Sequence, residues 1–175
     1  MTKIKAKIYI DGSNVFYTQK KLGWSLDWFK VKELIESQKD IIEWKYYVGL
    51  KDGDEKMRGY LKYLNAIGFT AVTKPLKRIR VSDGENHPNS QGGFIYKANF
   101  DVEMTADILL DKAKIDEIII FSGDSDFEYL ANKLKDSGRK VIVYASKRTI
   151  SWELKLASSE VVYLENLERQ IKRDK

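Results

Sequence analysis

Aspartates follow two apolar segments of the chain, and their placement is suited to binding a metal ion. Asp11 comes directly after residues 8–10 (IYI), and Asp124 and Asp126 come soon after residues 117–121 (EIIIF). The run at 117–121 is short and continuously apolar, which is typical of a strand buried on both faces of a parallel sheet. Ligands of open parallel sheets bind beyond the carboxyl ends of the strands. If the two strands are neighbours, these carboxylates meet in one crevice.

A carboxylate cluster of this kind predicts a hard divalent cation. Asp101, at the start of a predicted helix, would add a further carboxylate to the three above. Clustered carboxylates repel one another, so each would have a raised pKa unless a cation neutralises the site. Mg²⁺ or Mn²⁺ suits an oxygen-ligand site that also holds phosphate, and such an ion can activate water for attack on a phosphodiester.

The composition excludes several other kinds of site. The 175 residues include no cysteine and one histidine, His87. Disulfides, thiolate metal sites and cysteine nucleophiles are therefore excluded, and so is a histidine-rich zinc site. His87 lies in the turn-rich stretch 82–93, where we expect a surface residue rather than a general base. The lack of cysteine also fits a reducing cytoplasm.

The same aspartates could instead serve only as helix caps. Residues 125–128 (SDFE) fit the S-x-x-E capping box, and Ser13 or Asn14 is a credible N-cap for a first helix. Capping does not explain why acidic residues recur at the ends of apolar strands. The capping box also leaves Asp124 without a role.

Strands alternate with helices along the chain, and no repeat or linker divides it. This order predicts an α/β fold with a central, mostly parallel sheet in a single domain, residues 1–175. Residues 94–96 could pair back onto 76–81 as a hairpin, and the basic C-terminal segment 166–175 is expected to fray. The strands are predicted at 8–10, 41–50, 69–73, 117–121, 141–144 and 161–163. The helices are predicted at 28–37, 100–113, 126–136 and 150–157, with one more whose apolar positions lie at 57–64 and which ends at Gly68.

The helix predicted at 100–113 carries a further aspartate, Asp107. Its apolar face is assigned to Val102, Ala106, Leu109, Leu110 and Ala113. Asp107 lies about 240° around the helix from Asp101 and well away from that face. This geometry favours a solvated surface charge over a group of the metal site.

No export or membrane segment is apparent in the sequence. Lysines alternate with apolar residues over 3–10, which prevents the apolar stretch of a signal peptide. No run approaches the ~18 apolar residues of a membrane helix. We therefore interpret the chain as soluble and cytoplasmic.

Three segments together resemble the NYN domain, the LabA-like branch of the PIN-like nuclease superfamily. They are residues 8–14 (IYIDGSN), 97–104 (KANFDVEM) and 119–127 (IIFSGDSDF), and the resemblance extends over residues 5–165. It implies a PIN-like three-layer α/β/α sandwich and a metal-dependent ribonuclease site. The matching metal-binding positions are Asp11, Asp101, Asp124 and Asp126. Asn14 matches an asparagine that orients water, substrate or a carboxylate, and Asp107 matches a further acidic position, which keeps it as a secondary candidate.

Cations and aromatic residues could hold a nucleic-acid substrate. The net charge is +5, but the lysines and arginines are locally concentrated. The candidates for phosphate contacts are Lys74, Lys77, Arg78, Arg80, Lys97, Lys147 and Arg148. The candidates for base stacking are Trp24, Trp152, Phe94 and Tyr96.

The leading hypothesis is a Mg²⁺- or Mn²⁺-dependent endoribonuclease, with RNA favoured over DNA as substrate. The alternative is a non-catalytic nucleic-acid-binding or regulatory domain that retains the nuclease fold. A phosphatase of the haloacid dehalogenase type would need a second acid where Ser13 stands, and a dinucleotide-binding site would need G-x-G-x-x-G after the first strand. A sheet edge or the hairpin would allow a homo-oligomer, although nothing in the sequence demands one.

Overall fold

The computed structural model describes residues 3–80 and 94–174, which form eight strands and seven α-helices. In chain order they are β1 (Lys5–Asp11), α1 (Gly12–Leu22), α2 (Trp28–Gln38), β2 (Asp40–Leu50), α3 (Glu55–Ala66), β3 (Thr70–Pro75), β4 (Lys77–Arg80), β5 (Phe94–Lys97), α4 (Asp101–Leu110), β6 (Glu117–Phe121), α5 (Glu128–Asp136), β7 (Lys140–Ala145), α6 (Trp152–Ala157), β8 (Glu160–Tyr163) and α7 (Glu168–Ile171). Two 3₁₀ turns, Ser125–Phe127 and Leu164–Leu167, precede α5 and α7.

Six strands form one parallel sheet in the order β3-β2-β1-β6-β7-β8. The two apolar strands that precede the aspartates, β1 and β6, are neighbours at its centre, with Ile10 opposite Phe121. The residues that follow, Asp11 and Ser122, therefore emerge side by side at the carboxyl edge of the sheet. The predicted parallel α/β sheet is confirmed.

Helices cover both faces of the sheet, so the fold has three layers. Alternation along β1 sends Ile8 and Ile10 to one face and Tyr9 to the other. The first face is covered by α1, α2, α3 and α7, and the second by α4, α5 and α6. Two separate apolar cores result, which confirms the predicted α/β/α sandwich.

Helix α1 has an expected N-cap in the sequence but no predicted bounds. It begins directly after β1, and its N-cap is Asp11, whose side chain accepts a hydrogen bond from the backbone N–H of Asn14 at 3.1 Å. The expected N-cap at Ser13 or Asn14 is therefore wrong. Gly12 and Ser13 are typical of loops, so the first turn does not have the sequence of a helix. Beyond it only Val15 and Thr18 are buried, which is too few residues to give a clear helical pattern.

Helix α4 presents a different face to the core from the one predicted. Met104 and Ile108 are fully buried, whereas Val102 is 79% exposed and Leu110 is 76% exposed. Phe100, one residue before the helix, is also buried and begins a stripe with a spacing of four residues. The helix is apolar on two sides, and the Phe100 stripe is the side that packs on the sheet. It also ends at Leu110, three residues short of the predicted end.

The predicted hairpin is confirmed by the pairing of β4 with β5. The strands are antiparallel, with Lys77 opposite Lys97 and Arg80 opposite Phe94. It follows β3 directly and leads through residues 98–100 to Asp101, so its base lies near the carboxyl edge of the sheet. The turn-rich stretch 82–93, with His87, lies outside the described residues.

The C-terminal segment is docked on the protein, so the expected fraying of 166–175 is wrong for its described part. Ile171 is 1% exposed and belongs to the first core. The backbone N–H of Asp27 donates to the Ile171 carbonyl at 2.8 Å, and that of Arg173 donates to the Ser25 carbonyl at 2.9 Å. The basic composition of the segment concealed this single buried anchor. Over the described ranges, no helix has the length and apolar character needed to span a membrane.

Candidate metal centre

Three of the predicted carboxylates converge at the carboxyl edge of the sheet. Asp11 ends β1, Asp124 lies in the loop after β6, and Asp101 begins α4. One carboxylate oxygen from each lies within 4.8 Å of the others, and all three residues are partly buried. The juxtaposition follows from the central pairing of β1 with β6, which carries Asp11 and Asp124 to the same point.

Asp11 is fixed by hydrogen bonds from both sides. Its Oδ1 accepts the Asn14 backbone N–H at 3.1 Å, and its Oδ2 accepts the Ser122 hydroxyl at 3.2 Å. Ser122 is itself 1% exposed. The carboxylate therefore has one orientation, set jointly by the start of α1 and the end of β6.

The loop that carries Asp124 is held by side chains that the two strands bring together. The Asn14 side-chain oxygen accepts the Gly123 backbone N–H at 3.0 Å, and the Ser122 hydroxyl oxygen accepts the Asp124 backbone N–H at 3.2 Å. Asn14 thus positions the loop between β6 and Asp124. Among the described residues, Asn14 and Ser122 link the two central strands just beyond their ends.

The capping box predicted at 125–128 is wrong, because Asp124 is the cap. Its Oδ1 accepts the Asp126 backbone N–H at 3.1 Å and begins the 3₁₀ turn. The Glu128 carboxylate instead accepts a hydrogen bond from the Asn132 side chain at 2.8 Å. Capping uses one oxygen of Asp124 and leaves the other, so capping and metal binding are compatible roles for this residue.

Asp101 is positioned by the residues that enter α4. Its backbone N–H donates to the Asn99 side-chain oxygen at 3.1 Å, and the neighbouring Phe100 is buried in the second core. The position of its carboxylate is therefore set by the sheet through Phe100. Asn99 was not singled out from the sequence; its place two residues before an aspartate, typical of a local side-chain turn, is the signal that could have found it.

The electrostatics of the cluster favour a cation. Burial raises the pKa of Asp11, and the hydrogen bonds from Asn14 and Ser122 offset this only in part. Burial, together with the negative charge of Asp124, raises the pKa of Asp101 to about 6. Within residues 3–80 and 94–174, no lysine or arginine forms a salt bridge with any of the three carboxylates. An all-oxygen donor set with uncompensated negative charge fits Mg²⁺ or Mn²⁺.

Binding of Mn²⁺ is expected to tighten as the pH rises from 5 to 7. Carboxylates must be deprotonated to bind a metal, and the pKa of Asp101 in the metal-free protein is about 6. The dissociation constant should therefore fall by about tenfold over this range and change little above it. Isothermal titration calorimetry at constant ionic strength measures the change.

The stability of the metal-free protein should follow the opposite trend. The pKa of the Asp101 carboxyl is about 4 in the unfolded state and about 6 in the folded state. Between pH 4 and pH 6 the folded state therefore holds this proton more than the unfolded state does. The contribution of this carboxyl to stability is therefore lost as the pH rises across that window. Asp101→Asn has no proton to lose and should flatten both profiles. A dissociation constant that is independent of pH in the wild type would contradict the assignment.

Two further aspartates lie outside the three-carboxylate group. Asp126 is exposed, but it lies close enough to contribute to the raised pKa of Asp101. Asp107 accepts hydrogen bonds from the Tyr47 hydroxyl at 2.7 Å and the Lys45 ammonium at 3.1 Å. Although burial opposes it, these two contacts lower the pKa of Asp107. The expectation of a solvated surface charge is wrong, because the true face of α4 turns Asp107 toward β2.

The sequence profile of the NYN domain matches residues 5–165 of the chain. The chain belongs to the NYN domain family. It is 33% identical over 163 residues to the Low amplitude and bright protein LabA of Synechococcus elongatus, a match that covers 91% of this chain and 83% of LabA. Among solved structures, it is similar to a protein of unknown function from Vibrio parahaemolyticus, with a TM-score of 0.76, 25% identity and coverage of 98% and 97% of the two chains. The resemblance drawn from the three motifs is confirmed, and the domain is of the PIN-like nuclease type.

The hairpin of this NYN domain carries most of the predicted phosphate contacts. Lys77, Arg78, Arg80 and Lys97 are exposed or partly exposed. Lys74 is already engaged, since its ammonium lies 2.5 Å from the Glu103 carboxylate and 4.6 Å from the centre of the Phe100 ring. The candidate cations of the hairpin are therefore those of β4 and β5.

The other predicted cations follow β7, on the opposite side of the carboxylate cluster. The Arg148 guanidinium donates to the Lys21 carbonyl at 3.0 Å, which attaches the loop after β7 to the end of α1. Lys147 is exposed, and its ammonium lies 5.4 Å from the centre of the Tyr163 ring. Of this pair, Lys147 has its side chain available for a phosphate, whereas Arg148 also has a structural role.

The aromatic candidates of the NYN domain differ in exposure. Trp152 is 65% exposed and Tyr96 is 38% exposed. Trp24 is partly buried and packs against the first core, and Phe94 lies beneath the Arg78 guanidinium at 3.6 Å. Trp152 is thus the most exposed of the four, and the Tyr96 ring has the Lys51 ammonium 4.5 Å from its centre.

Proposed function

We propose that this NYN domain is a metal-dependent ribonuclease that cleaves internal phosphodiester bonds of RNA. The observation that carries the proposal is the convergence of Asp11, Asp101 and Asp124 at the carboxyl edge. Burial and mutual repulsion raise the pKa of Asp11 and of Asp101, and none of the described lysines or arginines forms a salt bridge with the cluster. Membership of a nuclease-type family gives this cluster its chemical context.

The side chains of the site have separable roles in this proposal. Asp11, Asp101 and Asp124 would hold Mg²⁺ or Mn²⁺, which when bound lowers the pKa of a water and offsets charge on the phosphodiester. Ser122 and Asn14 keep Asp11 and the Asp124 loop in fixed positions through the hydrogen bonds described above. Both contacts are made by neutral groups, so they orient the site without cancelling its charge.

Asp126 completes the proposed site from its solvent side. It is exposed and lies next to Asp101. A carboxylate in this position would bind a water of the ion or accept the proton that the attacking water loses. Asp107 is secondary, because Lys45 and Tyr47 already satisfy its carboxylate.

Cations on both sides of the carboxylates support a nucleic-acid substrate. The hairpin places Lys77, Arg78, Arg80 and Lys97 on one side, and the loop after β7 places Lys147 on the other. These positive charges would neutralise phosphates on either side of the scissile bond.

The experiment is cleavage of a circular single-stranded RNA, which has no ends for an exonuclease. The purified protein should linearise it with Mg²⁺ or Mn²⁺, lose the activity in EDTA and recover it when Mn²⁺ is restored in excess. A circular DNA of the same sequence tests the preference for RNA. Tight RNA binding without cleavage in either metal would overturn the proposal and identify a non-catalytic binding domain.

A further inference from the structure

A second feature of the carboxyl edge is a cavity beside the metal centre. Its volume is about 400 Å³, and it is lined by Lys147, Ile150, Ser151, Trp152, Lys155 and Tyr163. Sites for small organic ligands have volumes of about 300–1,000 Å³. The cavity is therefore large enough to hold a compact ligand rather than only ordered water.

The cavity wall is attached to the loop that carries Asp124. The Ser151 backbone N–H donates to the Gly123 carbonyl at 2.8 Å. The Thr149 and Thr18 hydroxyls, 3.0 Å apart, join the wall segment to α1. A polymeric substrate bound at the metal centre would therefore lie close to the cavity.

The chemistry of the wall is aromatic and cationic. The Lys155 ammonium lies 5.5 Å from the centre of the Trp152 ring, and the Lys147 ammonium lies 5.4 Å from the centre of the Tyr163 ring. Neither lysine forms a salt bridge with any carboxylate in the described ranges. Among the described residues, none that lines the cavity is acidic.

The Glu165 carboxylate, which lies close to Lys147, is otherwise engaged. It accepts the Ser146 hydroxyl at 2.7 Å and the Lys147 backbone N–H at 3.0 Å. The charge of Lys147 helps to lower the pKa of Glu165, but the ammonium forms no salt bridge with this carboxylate and lies over the Tyr163 ring at the cavity wall.

We propose that this cavity binds one nucleotide of single-stranded RNA, with its base stacked on Trp152 and a flanking phosphate held by Lys147 and Lys155. The inference rests on the proposed function, because it takes RNA as the substrate. Trp152 is 65% exposed, so ring surface beyond the contact with Lys155 is accessible to a base, and the two ammonium groups supply phosphate contacts beside it. Bases of a duplex are already stacked on their neighbours, so the site selects single strands and loops.

The test measures binding of a fluorescein-labelled single-stranded RNA by anisotropy in an Asp124→Asn background, in which the RNA should survive. Trp152→Ala should weaken binding about tenfold, because the loss of one stacked base lowers affinity by about 5- to 150-fold. Trp152→Phe, which keeps a ring, should retain affinity within about threefold. Lys155→Gln should weaken binding several-fold, by about one phosphate contact.

Matched controls separate the cavity from general effects of surface aromatics and charge. The controls are Tyr63, which is 41% exposed, and its neighbour Lys62. Both lie near the end of α3, which leads into the start of β3 at the amino edge of the sheet, opposite the carboxyl edge. Tyr63→Ala and Lys62→Gln should leave affinity unchanged. An RNA with abasic positions should bind equally well with and without the Trp152→Ala substitution, because it has no bases to stack.

The outcomes distinguish this inference from the proposed function. If the wild type cleaves RNA but Trp152→Ala changes neither the affinity nor the KM, the cavity proposal is wrong and the nuclease proposal stands. If Trp152→Ala weakens RNA binding but the wild type never cleaves, the nuclease proposal fails alone. If neither intact nor abasic RNA binds, the cavity serves another partner and the inference is overturned.

In the active wild-type background, Trp152→Ala should raise the KM about tenfold and leave kcat within about twofold.

Discussion

Replacing Asp124 by asparagine should lower kcat for RNA hydrolysis by at least about 10³-fold, since even the loss of an outer partner of a metal ligand costs about 10–100-fold. Asparagine keeps the oxygen that accepts the Asp126 N–H, so the 3₁₀ turn is preserved while the charge is removed. Asp11→Asn should have a comparable effect, because Asp11 shares the cluster with Asp124. Single-turnover cleavage at saturating Mn²⁺ measures the change.

Stability supplies a second readout for the same variants. Removing one charge relieves the repulsion within the cluster, so the metal-free variant should melt a few degrees higher, about 2–4 °C for each 1 kcal/mol. Mn²⁺ should raise the melting temperature of the wild type and have little effect on the variants. A simple folding defect would lower the melting temperature instead.

Asp27→Asn is the matched control for both readouts. Asp27 caps α2 by accepting the Phe29 and Lys30 backbone N–H groups, and it lies outside the carboxylate group. It should leave kcat within about twofold, because it preserves an N-cap acceptor and touches no metal ligand. If Asp124→Asn retains metal-dependent cleavage as Asp27→Asn does, this assignment of the site is wrong.

The carboxylate cluster could be predicted from the sequence because it depends on the most regular part of the fold. Two apolar strands, each followed by acidic residues, are easily recognised in the sequence. Since parallel strands present their carboxyl ends at one edge, the neighbouring positions of β1 and β6 bring Asp11 and Asp124 together. The sequence leaves the order of the strands open, and the structure shows β1 beside β6.

Features that depend on tertiary packing escaped prediction. The sequence of α4 has apolar residues on two sides, and only the position of Phe100 on the sheet decides that Met104 and Ile108 are buried. The orientation of α4 on the sheet also brings Asp107 to Lys45 and Tyr47, partners 62 and 60 residues away along the chain. Ile171 similarly fills a core whose other members come from distant segments. Periodicity along one helix contains none of this information.

Capping and metal binding were alternatives in the sequence, and the structure shows why they need not be. Asp11 and Asp124 each cap a helical turn with one carboxylate oxygen. Their carboxylates still lie within reach of each other and of Asp101. The caps are a means of fixing the carboxylates, since a side chain tied to a backbone N–H loses freedom before any ion arrives.

Gly123→Ala should reduce both activity and stability, because this glycine lies where two loops touch. A Cβ at Gly123 would lie 2.5 Å from the Thr149 carbonyl oxygen and 3.0 Å from the Ile150 Cα. These are backbone atoms, which cannot rotate away as a side chain would. We expect a loss of about 1–3 kcal/mol in the free energy of unfolding, typical of overpacking.

The loss of activity should exceed what the stability change explains. Relief of the clash must move Gly123, whose neighbour Asp124 belongs to the cluster, or the Thr149 segment, which leads into the cavity wall at Ile150. Displacing a reacting group by about 1 Å can cost about 10²-fold in rate. Cleavage measured at a temperature where the variant is fully folded isolates this geometric effect.

Gly59→Ala is the control for the chemical change itself. Gly59 lies inside α3, and an added Cβ there would meet nothing within 4 Å. Alanine should stabilise this helix by about 0.5–1 kcal/mol and leave cleavage unchanged. Chemical denaturation measures the free energy of unfolding of both variants. A decrease for Gly123→Ala and an increase for Gly59→Ala would show that close approach of the loops at Gly123 is required. If Gly123→Ala were as stable and active as Gly59→Ala, the contact between the Asp124 loop and residues 149–150 could not be what positions the carboxylate.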